Sequence, residues 1–163
     1  MSNPNDVLDD KAHLVQVAAL CARWKKNGKP EILIITSRDT CRWIIPKGWP
    51  MRDETFARAA QIEAWEEAGV VTRKSADCPE IGQFQYTKRY IDKRRRKVQV
   101  HVFLTPEKKQ LKKFPERGQR TLKWVSLRKA EKLLSDPSLV KLIKSLRKTK
   151  ALHNYPTSKG SVG

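Results

Sequence analysis

The stretch GWPMRDETFARAAQIEAWEEAGV, residues 48–70, decides how the rest of the chain is read. Gly48 sits between Pro46 and Pro50, which bracket a loop. The residues that follow, 54–68, are rich in helix formers. Asp53 is placed to cap this helix and Gly69 to end it. Within it, Glu63, Glu66 and Glu67 stand at i, i+3 and i+4, so they share one face. Like charges at that spacing repel by roughly 0.2–0.5 kcal/mol per pair. A hard divalent cation, which prefers oxygen ligands, would turn the repulsion into attraction. Taken alone, the three glutamates read rather as a solvated acidic stripe balanced by nearby Lys and Arg.

Upstream of this helix, residues 14–24 are apolar and rich in small residues, as a buried strand is. Asn27-Gly28 marks a hairpin turn into a second strand over residues 31–36, and residues 42–46 form a shorter third. Downstream, residues 81–90 and 98–104 are strands flanking a basic turn, with clear alternation over residues 97–103. A last strand covers residues 121–125. Helices follow over residues 126–134 and 137–148, with Asp136-Pro137 between them. Strands, helix, strands, helices is an α+β order, which predicts a mixed sheet with helices packed on it rather than regular βαβ alternation. Residues 14–149 form the expected domain. Residues 1–13 and 150–163 read as polar tails.

The chain has 163 residues, 39% of them hydrophobic, enough for one domain with a real core. No apolar run approaches the roughly 20 residues of a membrane span. The segment from Met1 to Asp10 is polar and acidic, unlike a secretory signal, so a cytoplasmic location is expected. Cys21, Cys41 and Cys78 form no CxxC pair, and three is an odd number, which argues against a disulfide framework or a structural zinc site. Lys and Arg number 35 against 17 Asp and Glu, a formal charge of +18. Such a field captures polyanions: nucleic acid, an anionic membrane or a small polyphosphate.

The spacing of residues 48–70 is Gly48, five residues, Glu54, seven residues, Ile62-Glu63, two residues, Glu66-Glu67, one residue, Gly69, then apolar Val70. This resembles the Nudix box at every fixed position but one, since Ile62 stands where the family has Arg. The resemblance implies a Nudix-like α/β/α sandwich with a mixed central sheet and a loop–helix–loop catalytic segment. It implies Mg²⁺, or Mn²⁺, held by Glu63, Glu66 and Glu67, with a backbone carbonyl near Lys47 or Gly48 completing the site. Glu54 and Gly69 are the structural positions of the motif. The chemistry implied is attack of water on phosphorus, with Glu63 as the candidate base. Ile62 cannot donate the hydrogen bond that the family's Arg gives, so another donor, such as Arg58, is expected in its place.

Ser37-Arg38-Asp39, followed by Arg42-Trp43-Ile44-Ile45-Pro46, is similar to the Nudix subgroup that hydrolyses diphosphoinositol and diadenosine polyphosphates. Arg120, four residues before Trp124, matches the spacing of that subgroup's basic substrate contact. Where the subgroup carries glycines, this chain has Lys47 and Trp49. The resemblance implies an anionic small-molecule substrate contacted by Ser37, Arg38, Arg42, Lys47 and Arg120. The basic run Lys88–Lys97 reads either as a solvated turn or as a lip whose Arg94 and Arg96 grip further phosphates. Trp43, Trp65 and Trp124 are expected in the core, and Trp49 beside the substrate. Two other functions stay open: pyrophosphohydrolysis of RNA 5′ ends, and a non-catalytic module that binds polyanions. A nucleic-acid partner is therefore open, a membrane partner is not expected, and the sequence does not give the oligomeric state.

Overall fold

Strand β1 (Leu14–Trp24) is apolar along most of its length and buried from Leu14 to Ala22, as a strand covered on both faces must be. The rest of the sheet is laid out around it in this computed structural model, which describes residues 7–9, 11–73 and 77–153. A turn with Gly28 at φ 82° returns the chain into the antiparallel partner β2 (Pro30–Thr36). Two short strands follow. β3 (Trp43–Ile44) pairs with β2, and β4 (Lys47–Gly48) pairs with β1. Helix α1 (Phe56–Ala68) leads into β5 (Val70–Thr72), and a hairpin joins β6 (Glu80–Arg89) to β7 (Arg95–Gln110). β7 runs parallel to β1, from Leu14 opposite Val98 to Ala22 opposite Pro106. β8 (Leu122–Ser126) returns to pair with β2, followed by α2 (Leu127–Leu133) and α3 (Pro137–Lys148).

The sheet is therefore mixed, and its two faces bury separate clusters. Val17, Ala19, Leu33 and Ile35 face Ala59, Ala60, Ala64 and Ala68 of α1. Leu20, Ile34, Val100 and Val102 face Leu127 and Ala130 of α2 and Leu139 and Ile143 of α3. The result is the α/β/α sandwich expected. The alanine face of α1 lets its backbone approach the sheet closely, which brings its glutamates down to strand level.

Several local expectations are corrected. The cap of α1 is Thr55, whose hydroxyl accepts from the Arg58 amide, while Asp53 lies outside the helix at φ 66°. Gly69 does end the helix, in the left-handed conformation at φ 71°. The strand expected over residues 42–46 is shortened to β3, and β4 starts after Pro46, which has no amide to continue a ladder. β5 was not foreseen, and β7 runs six residues beyond its expected end. Trp65 is exposed on the outer side of α1 rather than in the core, and Trp43 and Trp124 are half-buried. Part of the expected C-terminal tail is anchored: Leu152 is buried, and its carbonyl accepts from Trp24 Nε1 at 2.8 Å. The other tail residues, 1–6, 10 and 154–163, lie outside the described residues. Among the described residues, no helix is long and apolar enough to cross a membrane.

Candidate functional site

The acidic face of α1 meets the sheet where β4 pairs with β1. Val17 is opposite Gly48 and Ala18 opposite Lys47 in that pairing. Glu63 and Glu67 are buried there, at 9% and 5% exposure, while Glu66 is half-buried. Gly48 sits directly beneath Glu63. A Cβ at position 48 would stand 2.2 Å from Glu63 Oε1, so only glycine leaves the carboxylate room. The Lys47 amide donates to Glu67 Oε2 at 3.2 Å.

Arg120, from the loop before β8, closes this arrangement. Its side chain is 7% exposed. One guanidinium donates to the Thr36 carbonyl at 3.1 Å, to Glu116 Oε1 at 3.1 Å, and lies 3.4 Å from Glu67 Oε1. Three of its N–H groups donate to the protein, which places Arg120, expected as a substrate contact, among the carboxylates. It is also the cation ion-paired with motif Glu67. Arg58, expected in that role, instead bonds Gln61 at 3.1 Å. Ile62 faces away from the carboxylates and, with Arg58 and Trp65, lines a shallow pocket of about 200 Å³.

Glu116 is the residue that sequence reasoning missed. Its amide donates to the Glu66 carbonyl at 2.9 Å, which pins the 111–120 loop against α1, and its carboxylate adds to the negative charge around Glu63 and Glu67. The i, i+4 spacing of Glu116 and Arg120 was the available signal.

The electrostatics follow from this crowding. Burial, then the charges of Glu67, Glu66 and Glu116, push Glu63 up to about 8. Burial raises Glu67 to about 7 against the opposing pull of Arg120. Among the described residues no three acidic, histidine or thiol groups already converge on one point. The donor set is all oxygen, which suits Mg²⁺ or Mn²⁺ and disfavours softer metals.

On the other face of the sheet lies a cavity of about 1000 Å³, between β6, the Ser37–Arg42 loop and the start of α3. Lys47 belongs to both regions: its amide serves Glu67 while its side chain enters the cavity. Burial lowers the Lys47 ammonium to about 8. It donates to the Tyr86 hydroxyl at 3.3 Å, and that hydroxyl donates to the buried Gln16 at 2.6 Å. Ser37 and Arg42 also line the cavity. The Ser37 hydroxyl accepts from the Arg42 amide at 3.0 Å, which shapes that loop. Trp49 is half-buried beneath the Lys88 ammonium, 5.1 Å from its ring centre.

The remaining expected residues lie elsewhere. Arg38 is exposed, bonded to Gln119 and 3.5 Å from Glu116, on the carboxylate side. Arg94 and Arg96 do not line the cavity; Lys88 and Arg89 do. Arg94 is committed to Asp92 at 2.6 Å and to the face of Tyr90. Glu54 is exposed at the turn before α1, where its amide donates to the Met51 carbonyl.

With this geometry in view, residues 14–146 match the family model described as the NUDIX domain. "Nudix hydrolase 21, chloroplastic" from Arabidopsis thaliana is 32% identical over 117 residues, or 68% of this chain and 54% of that protein. The chain thus spans about half the length of this curated relative. A C. elegans Ap4A hydrolase in a binary complex superposes with a TM-score of 0.63 at 20% identity, covering 84% of this chain and 97% of that one. The NUDIX domain of Shewanella oneidensis NrtR, complexed with ADP ribose, gives 0.62 at 16% identity, covering 87% and 93%.

Proposed function

The chain belongs to the NUDIX family, and from that premise we propose that it is a Mg²⁺-dependent pyrophosphohydrolase acting on a highly anionic small molecule. The substrate class is a dinucleoside polyphosphate or an inositol pyrophosphate. One observation carries the reading. Glu63 and Glu67 are buried together against Gly48, at the point where Lys47 spans to a large cavity with basic walls. A fold has no structural need for buried carboxylates that repel one another, and a module that only bound phosphate would be weakened by them.

Glu63, Glu66 and Glu67, with a backbone carbonyl near Gly48, would hold the ion. When bound, it neutralises phosphate charge and makes a coordinated water more acidic. The protein's own groups do the rest. Arg120 and the Lys47 amide fix Glu67. Glu63 is the group assigned to accept the proton of the attacking water. Lys47 and Arg42 orient the phosphates, Arg by a planar fork and Lys by a point charge. Tyr86 and Gln16 hold the Lys47 ammonium at the cavity wall.

The test is a phosphate-release screen with Mg²⁺ against dinucleoside polyphosphates, inositol pyrophosphates, nucleotide sugars, nucleoside triphosphates and capped RNA. Turnover of one of the first two classes, lost in EDTA and in Glu67→Gln, is expected. No turnover of any of them with Mg²⁺ or Mn²⁺ would overturn the reading.

A further inference from the structure

The β6–β7 pair outruns α1. On the α1 side of the sheet, the helix covers β7 as far as His101, whose ring meets Phe56 at a centroid distance of 5.5 Å. Beyond that point the face is open. Strand alternation puts the odd-numbered residues on it, since Val98, Val100 and Val102 are buried on the other side. Cross-strand register then stacks three successive rows: Gln85 with Gln99, Thr87 with Lys97, and Arg89 with Arg95. The rows nearer α1 are a ladder of amides, in which Gln85 donates to Gln99 at 2.6 Å and Gln99 to Gln83 at 2.7 Å. The rows nearer the turn are cationic.

Those cations sit where folding alone would not put them. Arg89 is opposite Arg95, and on the reverse face Lys88 is opposite Arg96. Like charges directly opposite in a ladder destabilise it. The one acid of the turn, Asp92, is already paired with Arg94. Among the described residues, Arg95 and Lys97 make no ion pair, and both are exposed. A turn whose only task is to reverse the chain gains nothing from this pattern, whereas an anionic partner laid across it removes the repulsion.

We propose that this open face of β6–β7 is a binding surface for a single-stranded nucleic acid. Arg95 and Lys97 take the phosphates, and the amides of Gln85 and Gln99 meet base edges. The surface runs about 14 Å along the strands, a length suited to a short extended segment. Amide side chains both donate and accept, and the unpaired Watson–Crick edges of a single strand offer them both kinds of partner. The surface goes beyond the hydrolase reading, because binding here needs neither a phosphoanhydride nor a metal.

The experiment is fluorescence anisotropy with a 3′-labelled, 5′-hydroxyl oligouridylate of twelve nucleotides, in EDTA, as a function of salt. Wild type is expected to bind, with log affinity falling linearly in log salt. Each lost phosphate contact to a single strand reduces that slope by about 0.7, so R95Q/K97Q should lower it by about 1.4 and weaken binding at least tenfold at 50 mM salt. K108Q/K109Q, at the far end of β7, should bind within twofold of wild type. Equal losses in the two double variants would mean a general field rather than a site, and would overturn the proposal. So would unchanged binding by R95Q/K97Q, or no binding by wild type. Vesicles of phosphatidylcholine and phosphatidylserine form the second arm. Vesicle capture without oligonucleotide binding, lost in Ile91→Asp, would make the fully exposed Ile91 and its basic flanks a membrane contact instead, and overturn the proposal. Because the probe has no anhydride, these outcomes are separate from success or failure of the hydrolysis screen.

Discussion

Gly48→Ala isolates the geometry of the carboxylate site from the stability of the fold. The added Cβ would lie 2.2 Å from Glu63 Oε1 and 2.3 Å from its Cδ, where ordinary contact begins at 3.4 Å. Gly48 is not among the residues with positive φ, so alanine brings no backbone strain. The collision is with the end of one side chain, which can swing away. Relief therefore displaces the Glu63 carboxylate by about 1 Å, and a misplacement of that size costs on the order of 100-fold in rate. In barrier terms this is about 2.7 kcal/mol. We expect kcat to fall roughly 100-fold on the substrate found in the screen, Mn²⁺ affinity measured by electron paramagnetic resonance to weaken in parallel, and Tm to move by no more than about 2 °C. Turnover within threefold of wild type would show that the position of Glu63 is immaterial, and the site assignment would fall with it. A large drop in Tm would show that the collision is not absorbed by the side chain, and the packing argument would be wrong.

Other perturbations probe neighbouring groups. Glu66→Gln and Glu67→Gln should each lower kcat by about two orders of magnitude or more at saturating Mg²⁺ with circular dichroism unchanged; near-normal turnover in both refutes the ligand assignment. Arg120→Met leaves Glu67 and Glu116 uncompensated and should cost about 3 kcal/mol of stability in urea titrations, a loss that an exposed substrate-binding arginine would not show. Ile62→Arg should fold with Tm within a few degrees of wild type, since Ile62 is half-buried beside a surface pocket; an unfolded variant would place Ile62 in the core. The pH dependence of stability has a definite sign. Glu63 and Glu67 are raised in the fold to about 8 and about 7, above the ordinary carboxylate value of 4.5. Their stabilising contribution is fully present below about pH 4.5 and is lost as pH rises through 7 and 8. In EDTA, Tm should decline between about pH 5 and 8, and Mg²⁺, which binds the ionised form, should flatten the decline. A flat profile in EDTA would contradict it.

What could be read in the sequence was what depends on neighbours along the chain. The shared face of Glu63, Glu66 and Glu67 follows from helical period, and the left-handed end at Gly69 from its missing side chain. The partners of those glutamates could not be read in the same way. Arg58, one turn away, was the obvious donor, yet Arg120 arrives from a loop more than fifty positions later. The Lys47 amide, the Glu116 loop and the Tyr86–Gln16 bond are likewise products of topology. The basic run at 88–97 was visible as charge, but only the register divides it into Lys88 beside the cavity and Arg95 and Lys97 on the open face. Short elements were hard to see for a different reason. β3, β4 and β5 contain two or three residues each, too few to express a period.

The parallel ladder between β1 and β7 also bears on how the chain reaches this structure. β1 is made early in synthesis, yet one whole edge of it has no partner until about half of the chain has followed, because Leu14 pairs with Val98. Closing so long a loop has to precede any return from the contacts it makes. Until then β2 and β4 border one side of an almost wholly apolar strand, and the other is exposed to any extended neighbour. Refolding should accordingly be limited by docking of the β6–β7 hairpin onto β1, and the yield should depend on protein concentration while that edge stays open.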